Sequence, residues 1–184
     1  MTLRHELPRW KANVGVGDLE KALVAESPPD SEKYFYKPGR PSEPLFAELM
    51  KQAGLDPSAF ASKEDGLFEF AQRGWFLVDA TYQPVNHRSV SLAAKTKIIN
   101  RDYPLLLADL LQLTPDRMAP LVLIKANVCK ILEPRLVQGG FNVLNRGVHP
   151  PFPRSPFHHI TFRERFRTIL EKSGFSPTSG NGNE

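Results

Sequence analysis

Four short apolar runs, separated by segments of helical spacing, constrain this chain more than any other feature. Lys21–Ala25, Trp75–Ala80, Leu121–Ala126 and Phe141–Asn145 have the length and the β-branched or aromatic content of buried strands. Strands that alternate with helices imply a parallel sheet covered on both faces, because each crossover lays a helix against the sheet. The expectation is an α/β protein, a three-layer α/β/α arrangement around a central four-stranded, mostly parallel sheet. It would form one domain over residues 1–175, followed by a disordered tail, 176–184, of Ser, Pro, Gly and Asn.

The helical segments carry their own punctuation. Pro44–Ala53 is preceded by Ser42 and followed by Gly54, a plausible cap pair. Leu105–Leu113 is leucine-rich, and Thr114-Pro115 after it reads as an N-cap followed by proline at the first helical position. Val128–Gln138 stops at Gly139-Gly140, and Pro134 is expected to divide it. Thr161 and Glu164 have capping-box spacing, with Phe162, Phe166, Ile169 and Leu170 on one helical face. Residues 1–18 read as a leading arm or helix, and 56–74 and 83–103 as longer, partly helical connections. The seventeen prolines cluster at segment ends and act as stops rather than repeats.

Composition excludes several classes of function. The single Cys129 rules out a disulfide framework, a four-cysteine zinc site and a four-cysteine iron–sulfur cluster. No apolar run approaches the ~18 residues of a membrane span, and no secretory leader is evident, so a cytoplasmic, reducing setting is expected. A monomer is expected as well. There is no G-x-G-x-x-G, Walker or G-x-S-x-G motif, so neither a nucleotide cofactor nor a hydrolase elbow has support. No metal or organic cofactor is called for. The net charge of +4 is matched by residues 146–172 alone, where Arg146, Arg154, Arg163, Arg165, Arg167 and Lys172 face only Glu164 and Glu171. Such a stripe suits a polyanion, although a solvated helix face has the same composition.

Two strand-end loops hold candidate chemistry. Glu26 follows Leu23-Val24-Ala25, and Pro28-Pro29 then end the strand. A carboxylate there suits orienting a water or stabilising positive charge on a sugar, while a capping or salt-bridging role is the plain reading. His149 lies beyond the fourth run, fixed by Pro150, Pro151 and Pro153; its imidazole suits supporting an oxyanion or contacting phosphate, or serves only the loop. Asp79 ends the second run and is expected at the same sheet edge unless it caps the next loop. Tyr34, Phe35 and Tyr36 offer flat faces for a base, or are core. Arg154, Ser155, His158 and His159 suit phosphate oxygens; metal binding by adjacent histidines is disfavoured because they point apart.

In their order, these segments resemble the uracil-DNA glycosylase superfamily. Ala25-Glu26-Ser27-Pro28-Pro29 takes the place of that family's Gly-Gln-Asp-Pro-Tyr-His or Gly-Glu-Ala-Pro-Gly loop, and Gly74-Trp75-Phe76-Leu77-Val78-Asp79 that of its Gly-x-x-Leu-x-Asn strand. Leu121–Ala126 takes the third strand, and Val148-His149-Pro150-Pro151-Phe152-Pro153 that of His-Pro-Ser-Pro-Leu-Ser. The resemblance, over residues 20–172, implies a cluster-free DNA glycosylase that hydrolyses the N-glycosidic bond of a damaged or deaminated base. It implies Glu26 as the water-positioning acid and His149 as the support of the departing base. Ser27, Tyr34, Phe35, Tyr36 and Asp79 would line the base pocket, and Arg146, Arg154, Ser155, His158, His159 and Arg163 would meet DNA. Ser27 stands where one branch has a catalytic Asp, and Asp79 stands where an Asn reads the pyrimidine edge. An ionised Asp only accepts hydrogen bonds, so a base offering donors suits it better. The wedge leucine is missing from the last loop. Those departures favour a second class, a non-catalytic module binding nucleic acid or a nucleotide on the same fold. A third is an unrelated α/β protein with coincidental loops.

Overall fold

The computed structural model describes residues 20–28, 35–85 and 89–173. The expected leading arm, Tyr34 and the tail 176–184 lie outside the described residues. Strand β1 (Lys21–Ala25) is buried along its whole length and pairs in parallel with β2 (Trp75–Asp79) on one side and β3 (Leu121–Leu123) on the other. The order β2-β1-β3 makes the first strand the centre of the sheet.

Alternation along the strands sorts the core into two layers. Leu23, Ala25, Trp75, Leu77, Val122 and Ile124 join side chains of α1 (Pro44–Gln52), α2 (Lys63–Gln72) and α5 (Pro156–Lys172) in one apolar cluster. Ala22, Val24, Phe76, Val78, Leu121 and Leu123 join those of α3 (Leu92–Leu113) and α4 (Ala126–Gln138) in the other. The protein is thus α/β, with five α-helices among the described residues on two sides of a parallel sheet, compatible with three α/β/α layers. No helix among the described residues is long and apolar enough to cross a membrane.

The fourth run differs from expectation. Phe141–Asn145 contributes one parallel bridge, Leu121 to Val143, so the described sheet has three strands. The reason lies in Asn145. Its side-chain Oδ1 accepts from Leu123 N at 2.7 Å and its Nδ2 donates to Leu123 O at 2.9 Å. A buried amide side chain therefore takes the ladder positions that a further strand residue would fill, and the backbone is released into the His149 loop. On the opposite edge the Tyr36 hydroxyl does similar work. It accepts from Leu77 N at 2.7 Å and donates to Leu77 O at 2.9 Å, closing the exposed side of β2.

Four helix expectations are also corrected. The leucine-rich segment is the end of α3, which starts at Leu92 with Ser91 as N-cap and continues through Pro104. Thr114 ends that helix instead of starting another: its hydroxyl accepts from Ala119 N and donates to Asp116, tightening a turn before β3. Pro134 does not divide α4, because buried Leu132 and Leu136 hold both its halves on the sheet. Helix α5 begins at Ser155-Pro156, where an N-cap hydroxyl and a proline at the first position together outcompete the Thr161 signal six residues on. Phe162, Phe166, Ile169 and Leu170 are buried on its inner face, as their spacing predicts.

Lys21 is fully buried, its amino group 4.5 Å from the centre of the Trp75 ring. Burial lowers its pKa from 10.5 to about 8, only partly offset by Glu20. Between those values the folded protein binds fewer protons than the unfolded chain, so this group makes stability rise with pH across that window. Urea unfolding from pH 8 to 10.5 should show that rise in the wild type relative to Lys21→Met; parallel curves for the two proteins would disprove it. Tyr36→Phe leaves both Leu77 groups without their partner and should cost about 2 kcal/mol, read from the urea midpoint at unchanged slope.

Candidate functional site

The connections on either side of β1 define where a ligand would sit. The chain passes from β1 to β2 through α1 and α2 on one face, and from β2 to β3 through α3 on the other. In such sheets the crevice lies at the carboxyl ends of the strands where the winding reverses, here between β1 and β3. Glu26 is the first residue after β1, and Lys125 follows Leu123 by two positions at the end of β3.

These two residues are joined. Glu26, 4% exposed, accepts a short hydrogen bond from Lys125 Nζ on one oxygen and from Asn127 Nδ2 on the other. Lys125 has φ of 86°, a left-handed conformation that is strained in a residue with a side chain. It is also the residue from which α4 starts, so its backbone turns out of the sheet within one step. Its N–H donates to Pro150 O at 2.8 Å. Burial pulls the Lys125 amino group below the ordinary lysine range; Glu26 opposes this, and the positive charges of Lys95 and Arg154 add to it. The crevice thus combines a buried carboxylate, an amide and a converging set of cations. Among the described residues the buried Oδ1 of Asn127 has no hydrogen-bond partner.

The other expected residues are distributed unevenly. Ser27 is buried, and its hydroxyl accepts from Val85 N at 3.4 Å, tying the β1 loop to the loop after β2. Asp79 ends β2 in register with Ala25, one position short of Glu26, and its charge helps hold the buried Tyr36 phenol protonated. Phe35 packs edge-on against Tyr36 and Phe70 in the α1/α2 layer. These two rings are therefore engaged with the core and the β2 edge. His149 is half-buried, with its carbonyl accepting from Arg165 Nη1 at 2.7 Å. Glu26 and the His149 loop meet through Lys125, the first by side chain and the second by the backbone of Pro150.

The basic stripe is split between tasks. Arg154 is exposed and acts on Lys125 electrostatically, so it belongs to the crevice. Arg146 is exposed in a turn at φ 44°. Ser155 caps α5 and lies 2.5 Å from His158 Nδ1. His159 and Arg163 turn towards α1 instead, where Glu48 is buried: His159 Nδ1 is 2.9 Å from Oε1, and Arg163 binds both oxygens at 2.6 Å. The sequence reading missed Lys125, Asn127 and Glu48. The criterion that singles out Glu26, a charged residue closing an apolar run, applies equally to Lys125 after Leu121–Ile124. Among the described residues no group of three or more His, Cys, Asp or Glu could hold a metal ion.

No family model, curated protein or solved structure matches this chain.

Removing Lys125 alone strands a buried carboxylate. Lys125→Met should cost about 3 kcal/mol, and the double variant Glu26→Gln/Lys125→Met less than the sum of its parts. Additive denaturation free energies in this cycle would show that the pair is not coupled.

Proposed function

We propose that this protein is a DNA glycosylase-like hydrolase of N-glycosidic bonds, acting on a damaged or deaminated base. The observation that carries the reading is Glu26, a buried carboxylate fixed by Lys125 and Asn127 at the crevice between β1 and β3. The order of motifs shared with the uracil-DNA glycosylase superfamily supports the same choice. In this reading a base enters the crevice with its C1′ near Glu26. The C1′–N bond breaks, its electron pair leaves with the base, and positive charge grows on the sugar beside the carboxylate. A water held by a remaining lone pair of Glu26 adds its oxygen to C1′ and gives up its proton to that carboxylate. Lys125 and Asn127 keep Glu26 in one orientation, which is where preorganisation contributes. His149, on the loop tied to Lys125, meets the departing base. Arg154 supplies a phosphate contact at the mouth.

Two features favour the second reading, a non-catalytic module that binds nucleic acid or a nucleotide. Each Glu26 oxygen already accepts a hydrogen bond, and Asp79, acceptor-only when ionised, stands at the neighbouring strand end. Base release from uracil-, hypoxanthine- and mismatch-containing oligonucleotides, single- and double-stranded, separates the two. The hydrolase should release a base, and Glu26→Gln should slow it by about 100-fold or more while keeping its fold. No release by the wild type on the whole panel, with salt-sensitive DNA binding intact, would leave the binding module.

A further inference from the structure

A cavity lies away from the crevice, between α1, the 3-10 turn Pro57–Ala59 and α5. Its volume is about 740 Å³, within the range of small-molecule sites. The floor is Glu48, 1% exposed, whose carboxyl is held below its ordinary range, against the cost of burial, by Arg163, His159 and Lys51. The walls are unusual for a solvated groove. Arg40, Lys51 and Arg163 all line it, and Arg40 makes no ion pair among the described residues. Arg163 uses Nε and Nη2 on Glu48, and among the described residues Nη1 makes no hydrogen bond. Asp56 also acts on Lys51, yet Arg40, Lys51 and Arg163 outnumber Glu48 and Asp56 around the groove.

Two further features point to the same kind of ligand. Pro44, the first residue of α1, lines the groove, and the N-cap Glu43 makes no side-chain hydrogen bond to that helix's first turn. The positive end of α1 therefore adds to the field of the three cations. Ser42 supplies a hydroxyl beside it, and Phe60 with Pro41 and Pro57 forms an apolar wall. An inorganic anion would fill only part of this volume and would leave that wall bare.

We infer that this groove binds a phosphate ester carrying a flat apolar group, of nucleotide size. Its phosphate sits between Arg40, Lys51 and the free edge of Arg163, and its ring lies on Phe60. Glu48 acts as an internal counter-ion: it fixes Arg163 so that the outward edge of the guanidinium meets the phosphate without reordering. The inference stands independently of the chemistry assigned to Glu26, since the two sites share no residue.

The ester could be a free nucleotide or one unit of a nucleic-acid strand, and titration calorimetry on the full chain distinguishes them. Adenosine 5′-monophosphate should bind, and adenosine should bind at least tenfold more weakly. Arg40→Ser/Lys51→Ser should weaken the nucleotide at least tenfold, whereas Lys97→Ser, an exposed change on α3, should not. Competition by a thymidine hexanucleotide assigns the groove to a strand, and lack of competition assigns it to the free ester. Equal binding of adenosine and its monophosphate, no binding of either probe by the wild type, or nucleotide binding indifferent to the double substitution would overturn the proposal.

Discussion

The interactions of Lys125 organise the carboxyl edge of this sheet. Its ammonium meets Glu26 at the end of β1, its N–H holds Pro150 in the following loop, and its backbone turns β3 into α4. Each link would be weak at an exposed site. In the buried crevice the ion pair is different, because a carboxylate without its partner would carry the full cost of desolvation. The left-handed backbone at Lys125 persists under that constraint: strain of this kind survives when surrounding contacts over-determine it. The same residue therefore sets the geometry of both loops that bear candidate chemistry.

The sheet tolerates such an edge because its interior is simple. β1 is flanked on both sides and covered on both faces, and its residues are too small or too apolar to create polar conflicts, Lys21 excepted. Lys21 sits at the amino end of the strand, far along the chain direction from Glu26, so the two buried charges do not compete. Where the sheet ends laterally, side chains finish it: the Tyr36 hydroxyl on β2 and the Asn145 amide beside β3. Both use one polar group to satisfy a backbone N–H and C=O together, which is cheaper in chain length than another strand.

Helix α5 shows how one basic segment serves several ends. Its first turn is closed by Ser155, Arg165 steadies the His149 loop, and Arg163 pairs with Glu48 on α1 beside the His159 ring. A stripe that reads as a uniform polyanion surface is in fact divided: His159 and Arg163, four apart, face α1, and Arg165 reaches the His149 loop. Only Arg154, just ahead of the helix, reaches the β1/β3 crevice.

The sequence by itself determined β1, β2, the start of β3 (the third run ends as a strand at Leu123, and Ala126 already opens α4), the parallel α/β class and the inner face of α5. These depend on local periodicity and on apolar content, which survive without knowledge of partners. Helix starts were less legible at Leu92 and Ser155, because competing cap signals differ by less than the packing that selects between them. Glu26 was legible as a strand-end carboxylate; that Lys125 and Asn127, about a hundred residues later, would close around it was not. The reversal of winding between β1 and β3 is what brings them together, and no local pattern records it. Tertiary structure likewise decided that the fourth run would stop at one bridge, since only the placement of Asn145 beside Leu123 lets a side chain replace a strand. It also decided that Glu48 would be buried, which turned His159 and Arg163 towards α1 as part of the wall of the cavity there.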